Sequence, residues 1–157
     1  MFREMRRIRQ QLTQEESISI LLKCSNGVLA CLGDEGYPYA VPLNYVYLEG
    51  KIYFHSALSG HKVDSLKKYN KVSFAVVAED NIVREKYTSH FLSVIVFGKI
   101  RIAETKERVR AFTALVEKYA SDRPDEEKNY QINTCVRSSA YVIDIEYISG
   151  KQKGREK

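Results

Sequence analysis

A proline interrupts the longest alternating stretch of this chain. Residues 38–48, PYAVPLNYVYL, place Tyr39, Val41, Leu43, Tyr45 and Tyr47 on one side of an extended backbone. Ala40, Pro42, Asn44 and Val46 fall on the other. Proline cannot donate to a ladder, so Pro42 marks an edge, a bulge or a place where pairing splits. Glu49-Gly50 then turns the chain into a strand over 51–56, and the two strands form a hairpin. An antiparallel unit near the centre of the chain argues against a doubly wound sheet.

The flanking patterns agree. Thr13-x-x-Glu16 reads as a capping box, with Ile18, Leu21 and Leu22 on one face of a helix over 13–23. A short strand, 28–32, precedes the glycine-rich turn 33–36. After the hairpin, a loop enters a short helix that ends near Asn70. Strands follow at 71–78 and 91–102, with Gly98 as a bulge or close-approach point. Residues 79–88 are polar and loop-like. Val109, Phe112, Val116 and Tyr119 give a second helical stripe, and 121–130, which contain Pro124, form a connection. The last strand runs over 139–148, ahead of a tail expected to be disordered. The count is six strands and three helices with no βαβ repeat. The expected fold class is mainly β (α+β): a six-stranded antiparallel barrel with peripheral helices, in one domain over 1–157.

Charge and cysteine narrow the function classes. The net charge is +5, but residues 1–10 and 149–157 each carry +3, which leaves the body near neutral. A nucleic-acid binder is expected to carry its basic stripe on the body, so these ends read as solvated tails. No stretch has the roughly 20 apolar residues of a membrane span. The basic start lacks the apolar core of a secretory signal, so a cytoplasmic location is expected. Cys24, Cys31 and Cys135 form no CxxC pair and read as reduced structural thiols. No metal-ligand spacing, GxGxxG, Walker loop or GxSxG is present.

Four segments are candidates for chemistry. Ser59-Gly60-His61-Lys62 lies where a loop enters a helix. Free N–H groups, the helix dipole and Lys62 favour an anion there; the alternative is an ordinary N-cap with solvated basic neighbours. Asn44, an amide within a strand, either contacts a polar ring edge or caps a gap in pairing. His55-Ser56 ends the hairpin's second strand, and Ser93 is polar in an apolar strand.

The order VPLNYVY, KIYFHSA, SGHKVDSLKKYNKVSF, SVIVFGKI and a late ISGK resembles the pyridoxamine 5'-phosphate oxidase-like, FMN-binding split-barrel superfamily. Its nitroimidazole-resistance branch looks closest. The resemblance implies a homodimer with FMN in two interfacial clefts. Val41, Pro42, Leu43, Asn44 and Tyr45 would line the isoalloxazine ring. His55 and Ser56 would lie near the ribityl phosphate, with Ser59, His61 and Lys62 holding that phosphate. Ser93 would make a polar contact to the flavin. The expected function is an oxidoreductase acting on a small electron acceptor, such as a nitro compound. The alternative is a flavin-, deazaflavin- or haem-binding protein on the same fold. The chain has no tryptophan and ends ISGKQKGREK, unlike the oxidase's tryptophan- and arginine-bearing C-terminal segment, which argues against pyridoxamine phosphate oxidation.

Overall fold

The computed structural model describes residues 1–134 and 138–154. Cys135, Arg155, Glu156 and Lys157, which figured in the thiol and tail expectations, lie outside them.

One antiparallel sheet organises the chain. Its strands are β1 (Asn26–Leu32), β2 (Pro38–Asn44), β3 (Val46–Leu48), β4 (Lys51–Ala57), β5 (Lys71–Val83), β6 (Thr88–Ile102) and β7 (Ser138–Lys153). The spatial order is β2-β1-β5-β6-β7-β4-β3. The single strand expected over 38–48 is therefore two. β2 pairs with β1 at one edge and β3 pairs with β4 at the other, with only Tyr45 between them. Seven strands replace the expected six for this reason, and both edges of the sheet meet at one residue. Pro42 sits in β2, on the edge, where its missing donor is tolerated.

Three further corrections concern length. Of residues 79–88, only 84–87 are a turn. β5 and β6 continue as a hairpin from Glu79↔Leu92 to Val83↔Thr88, past a bulge at Ala78. The stretch 121–130 is not merely a connection, because α4 (Asp125–Thr134) begins directly after Pro124. The tail expected from Ser149 is strand as far as Lys153, paired with Phe91 through Ile95 of β6.

The helices cover two faces. α1 (Gln14–Lys23) starts with the expected capping box: the Thr13 amide donates to Glu16 Oε2 at 2.7 Å, and the Glu16 amide donates to Thr13 Oγ1 at 3.1 Å. Its inward residues are Ser17, Ile20 and Leu21, whereas Leu22 faces water. α1 and α2 (His61–Lys68) close the barrel interior, where Leu29, Tyr45, Phe54, Phe74, Val94 and Ile143 pack. α3 (Thr105–Tyr119) covers the outside of β3, β4 and the start of β7. Phe112 and Leu115 meet Val46, Tyr53 and Val142 there. Val109, expected on that stripe, is exposed. Gly98 is the expected close-approach bulge: a Cβ there would stand 2.4 Å from the Asp144 carbonyl oxygen. No described helix is long and apolar enough to cross a membrane.

Candidate functional site

The entry to α2 is built by Gly60. Its φ of 125° suits glycine and lets the backbone swing from β4 into the helix without a side-chain cap. The first helical bond runs from the Asp64 amide to the Gly60 carbonyl at 3.1 Å. The amides of His61, Lys62 and Val63 therefore have no partner within the helix, and they sit at its positive end.

The two basic residues of this turn have different surroundings. The ring of His61 stacks on Tyr39, with centroids 4.1 Å apart. Its Nε2 accepts from the Asp34 amide at 3.4 Å and lies 3.5 Å from Asp34 Oδ2. Asp34 also receives Lys68 at 3.1 Å, and that hydrogen bond and charge chiefly hold its carboxyl below the usual range. His61 thus clamps α2 to the turn between β1 and β2. Lys62 is half-buried, with Nζ 5.5 Å above the Phe54 ring, and no carboxylate pairs with it among the described residues. Burial pushes its pKa down, partly opposed by the nearby Cys31. A half-desolvated cation without a counter-charge, beside free amides, is a place where an anion is stabilised. Ser59 is exposed on the same turn, and Ser56 is buried at the end of β4.

A second group assembles where β2 ends. Asn44, His55, Phe112, Leu115, Val116, Tyr119, Ala120 and Gln131 line a cavity of about 380 Å³. Asn44 Nδ2 donates to the Ser25 carbonyl at 3.0 Å, which caps the gap in pairing as one of the two sequence alternatives held. His55 projects outward beside Phe112, with ring centroids 6.5 Å apart. Tyr45 does not line an open ring site. Its side chain is fully buried, and its hydroxyl donates to the Leu21 carbonyl at 2.8 Å. Burial drives its pKa well above the ordinary range. Within β2, Val41 and Leu43 are partly buried, while Pro42 and Asn44 face out.

Ser93 stands apart from the rest. It pairs with Lys151 of β7, whereas Ala57, at the approach to α2, pairs with Ser138. Twelve residues of β7 separate these two pairing positions. Ser93 is not among the residues that the entry to α2 brings together. Ser93 belongs to an outer face that no helix covers, with Val28, Val77, Ile95 and Phe97 exposed on it. Sequence reasoning missed this bare face, because exposure on a strand cannot be read from alternation alone. It also missed the α3 wall of the Asn44–His55 cavity.

The family model described as pyridoxamine 5'-phosphate oxidase matches residues 13–152. Among solved structures, a candidate 5-nitroimidazole antibiotic resistance protein of Bacteroides thetaiotaomicron is 22% identical with a TM-score of 0.76. The match covers 90% of this chain and 86% of that one. A conserved hypothetical protein of Mycobacterium tuberculosis is 18% identical with a TM-score of 0.80, over 98% and 96%. An FAD and haem binding protein of Mycobacterium smegmatis is 16% identical with a TM-score of 0.73, over 93% and 74%. At these identities the likeness is one of fold. No curated protein matches.

Proposed function

The chain belongs to the pyridoxamine 5'-phosphate oxidase family, and on that premise we propose that it is a homodimeric FMN-dependent oxidoreductase acting on a small electron acceptor. Lys62 carries this reading. Its half-buried ammonium, unpaired among the described residues, and the free amides at the start of α2 suit the terminal phosphate of FMN. The outward residues of β2, Pro42 and Asn44, with His55 and Ser56 at the end of β4, would flank the rest of the flavin. Tyr45 would contribute packing only.

The exposed sheet face supports a second copy. Val28, Val77 and Ile95 form an exposed apolar stripe across β1, β5 and β6, ending at Phe97, on which Phe2 stacks, and exposed stripes of this kind mark interfaces. A partner seated there would let its own Ser93 complete a cleft that one chain leaves open. The flavin would supply the electron chemistry, and the protein binding, orientation and electrostatics. Nitro compounds are a reasonable acceptor class, given the Bacteroides neighbour. Oxidation of pyridoxamine phosphate is not proposed for a chain without tryptophan.

Titration of the purified protein with FMN, FAD and haem tests this. Tight uptake of FMN, with a shifted flavin absorption band, is expected. A protein that stays colourless with all three would end the flavin reading. Haem is the second reading, because the His55 ring has no hydrogen-bond partner among the described residues and an imidazole of this kind can ligate iron. A Soret band without flavin uptake would establish it instead.

A further inference from the structure

α4 is an unusual helix, because none of its described residues is buried. One ion pair joins it to α3, from Lys128 to Glu117 at 3.0 Å, and the partly buried Ile132 packs on the cluster of Phe112 and Leu115. The pairs of Lys128 with Asp125 at 3.0 Å and of Arg123 with Glu127 at 2.7 Å are local to α4 and its start. Beside this contact lies an apolar space. One cavity, of about 370 Å³, runs along Val116, Ala120, Arg123, Tyr130 and Gln131. The cavity of about 380 Å³ that reaches Asn44 and His55 shares Val116, Ala120 and Gln131 with it. The two adjoin through these residues and make a groove that is open to water along its length, from Tyr130 to the strand split.

The inner lining defines the ligand chemistry. No Lys, Arg, Asp or Glu lines the section with Asn44 and His55. The outer section carries four charged residues, of which Arg123, Glu127 and Lys128 are ion-paired and Glu126 lies at its rim. Phe112, Leu115 and Val116 give an apolar floor, with the Tyr119 ring beside them. Two hydrogen-bonding groups, the exposed His55 ring and the exposed Asn44 amide, stand at the end beside the strand split. A pocket of a few hundred Å³ with apolar walls and few polar groups is the usual form of a small-molecule site.

We propose that this groove is the entry and binding site for a neutral, flat, largely apolar small molecule whose polar end meets Asn44 and His55. As a substrate channel the groove rests on the flavin reading, since Asn44 and His55 are also assigned to the flavin's surroundings. As a ligand site it does not depend on that reading.

The probes are 4-nitrobenzyl alcohol, which is neutral, and 4-nitrobenzoate, which has the same ring with a charge. Both are titrated into the full-length protein, with and without FMN, and followed by NMR chemical-shift mapping. The alcohol is expected to perturb amides of Phe112 through Ala120 and to bind at least tenfold more tightly than the benzoate. Ala120→Trp and Val116→Phe, which fill half-exposed positions, should each weaken the alcohol at least tenfold and leave FMN affinity within twofold. Circular dichroism verifies the fold of each variant. Equal affinity for the two probes, unchanged affinity in both folded variants, or perturbations away from α3 would overturn the proposal. Alcohol binding in this groove by a protein that refuses FMN would uphold the site and remove the flavin reading.

Discussion

The hydroxyl of Tyr119 stands in for the strand neighbour that Tyr45 lacks. It accepts from the Tyr45 amide at 3.0 Å and lies 2.6 Å from the Tyr45 carbonyl, with the Ser25 carbonyl also in reach. At the residue where the chain leaves one edge of the sheet for the other, the end of α3 supplies the missing bonds. Tyr119→Phe removes them while keeping the ring, and leaves a buried amide unsatisfied. A loss of about 1–3 kcal/mol is expected in urea unfolding, with faster hydrogen exchange at the Tyr45 amide. Exchange unchanged at that amide would contradict the bridging role.

Acid should loosen the other end of α3. Arg101 donates to Glu107 at 2.6 Å and to Asp144 at 2.6 Å, and Lys51 and Tyr53 also donate to Glu107. Arg101 above all holds the Glu107 carboxyl down to about 2 from its ordinary 4.5. Because the folded-state value is the lower one, this stabilisation is complete above pH 4.5 and disappears as the pH falls towards 2. Glu107→Gln should cost about 1 kcal/mol at neutral pH. Its unfolding curve should converge on the wild-type curve below pH 3, and parallel curves across that range would refute the linkage.

Gly98 is fixed by crowding rather than by backbone angle. An alanine methyl would meet the Asp144 carbonyl oxygen at 2.4 Å and Ile143 Cγ2 at 2.8 Å. Gly98→Ala should destabilise by about 1–3 kcal/mol or prevent folding. Gly50, where φ is 77° and nothing crowds a Cβ, should lose only about 1 kcal/mol on the same change. Comparable thermal shifts in the two variants would remove the distinction.

Lys62→Ala should weaken FMN by about 1.5–3 kcal/mol and riboflavin much less, since only FMN carries the phosphate. His61→Ala should act differently, because His61 clamps α2 to Asp34 and Tyr39. A loss of thermal stability is expected from it, with a smaller effect on FMN once the protein is folded. Equal losses of FMN and riboflavin in the lysine variant would place Lys62 away from the phosphate.

A charge on the bare sheet face tests the dimer. Val77 and Ile95 are exposed in the single chain, so Val77→Glu or Ile95→Glu should fold normally. Each should yield a monomer in sedimentation velocity and lose flavin with it. A monomeric variant that retains full FMN affinity would show that the cleft is complete within one chain.

Much of the fold was legible because its signals are local. The capping box at Thr13 and the turn at Glu49-Gly50 are each set by residue types within a few positions, and Gly98 announced itself as a glycine inside an apolar strand. α4 escaped because it has no apolar stripe, although Pro124 followed by Asp125, Glu126 and Glu127 is a helix-start signature. The paired stretches 79–90 and 149–153 escaped because solvent-facing strands carry the same charged residues as loops. At the site, the basic turn before α2 was readable. The separate duties of His61 and Lys62 were not, since Asp34 and Phe54 reach them only through the folded sheet. Alternation placed Tyr45 on the right side, with Tyr39, Leu43 and Tyr47 against the same core; what the sequence could not show is that this side is the closed interior rather than a ring site.

The prolines of β2 bear on how this protein behaves when crowded. Pro38 and Pro42 pair with Leu32 and Val28 without an amide proton to offer, so their nitrogens must face away from β1, towards the open rim. Of the donors that rim would present to a passing strand, those at both prolines are absent. Concentrated solutions of the chain should accordingly resist edge-on polymerisation from this side, because a foreign backbone would find too few amides to extend the sheet.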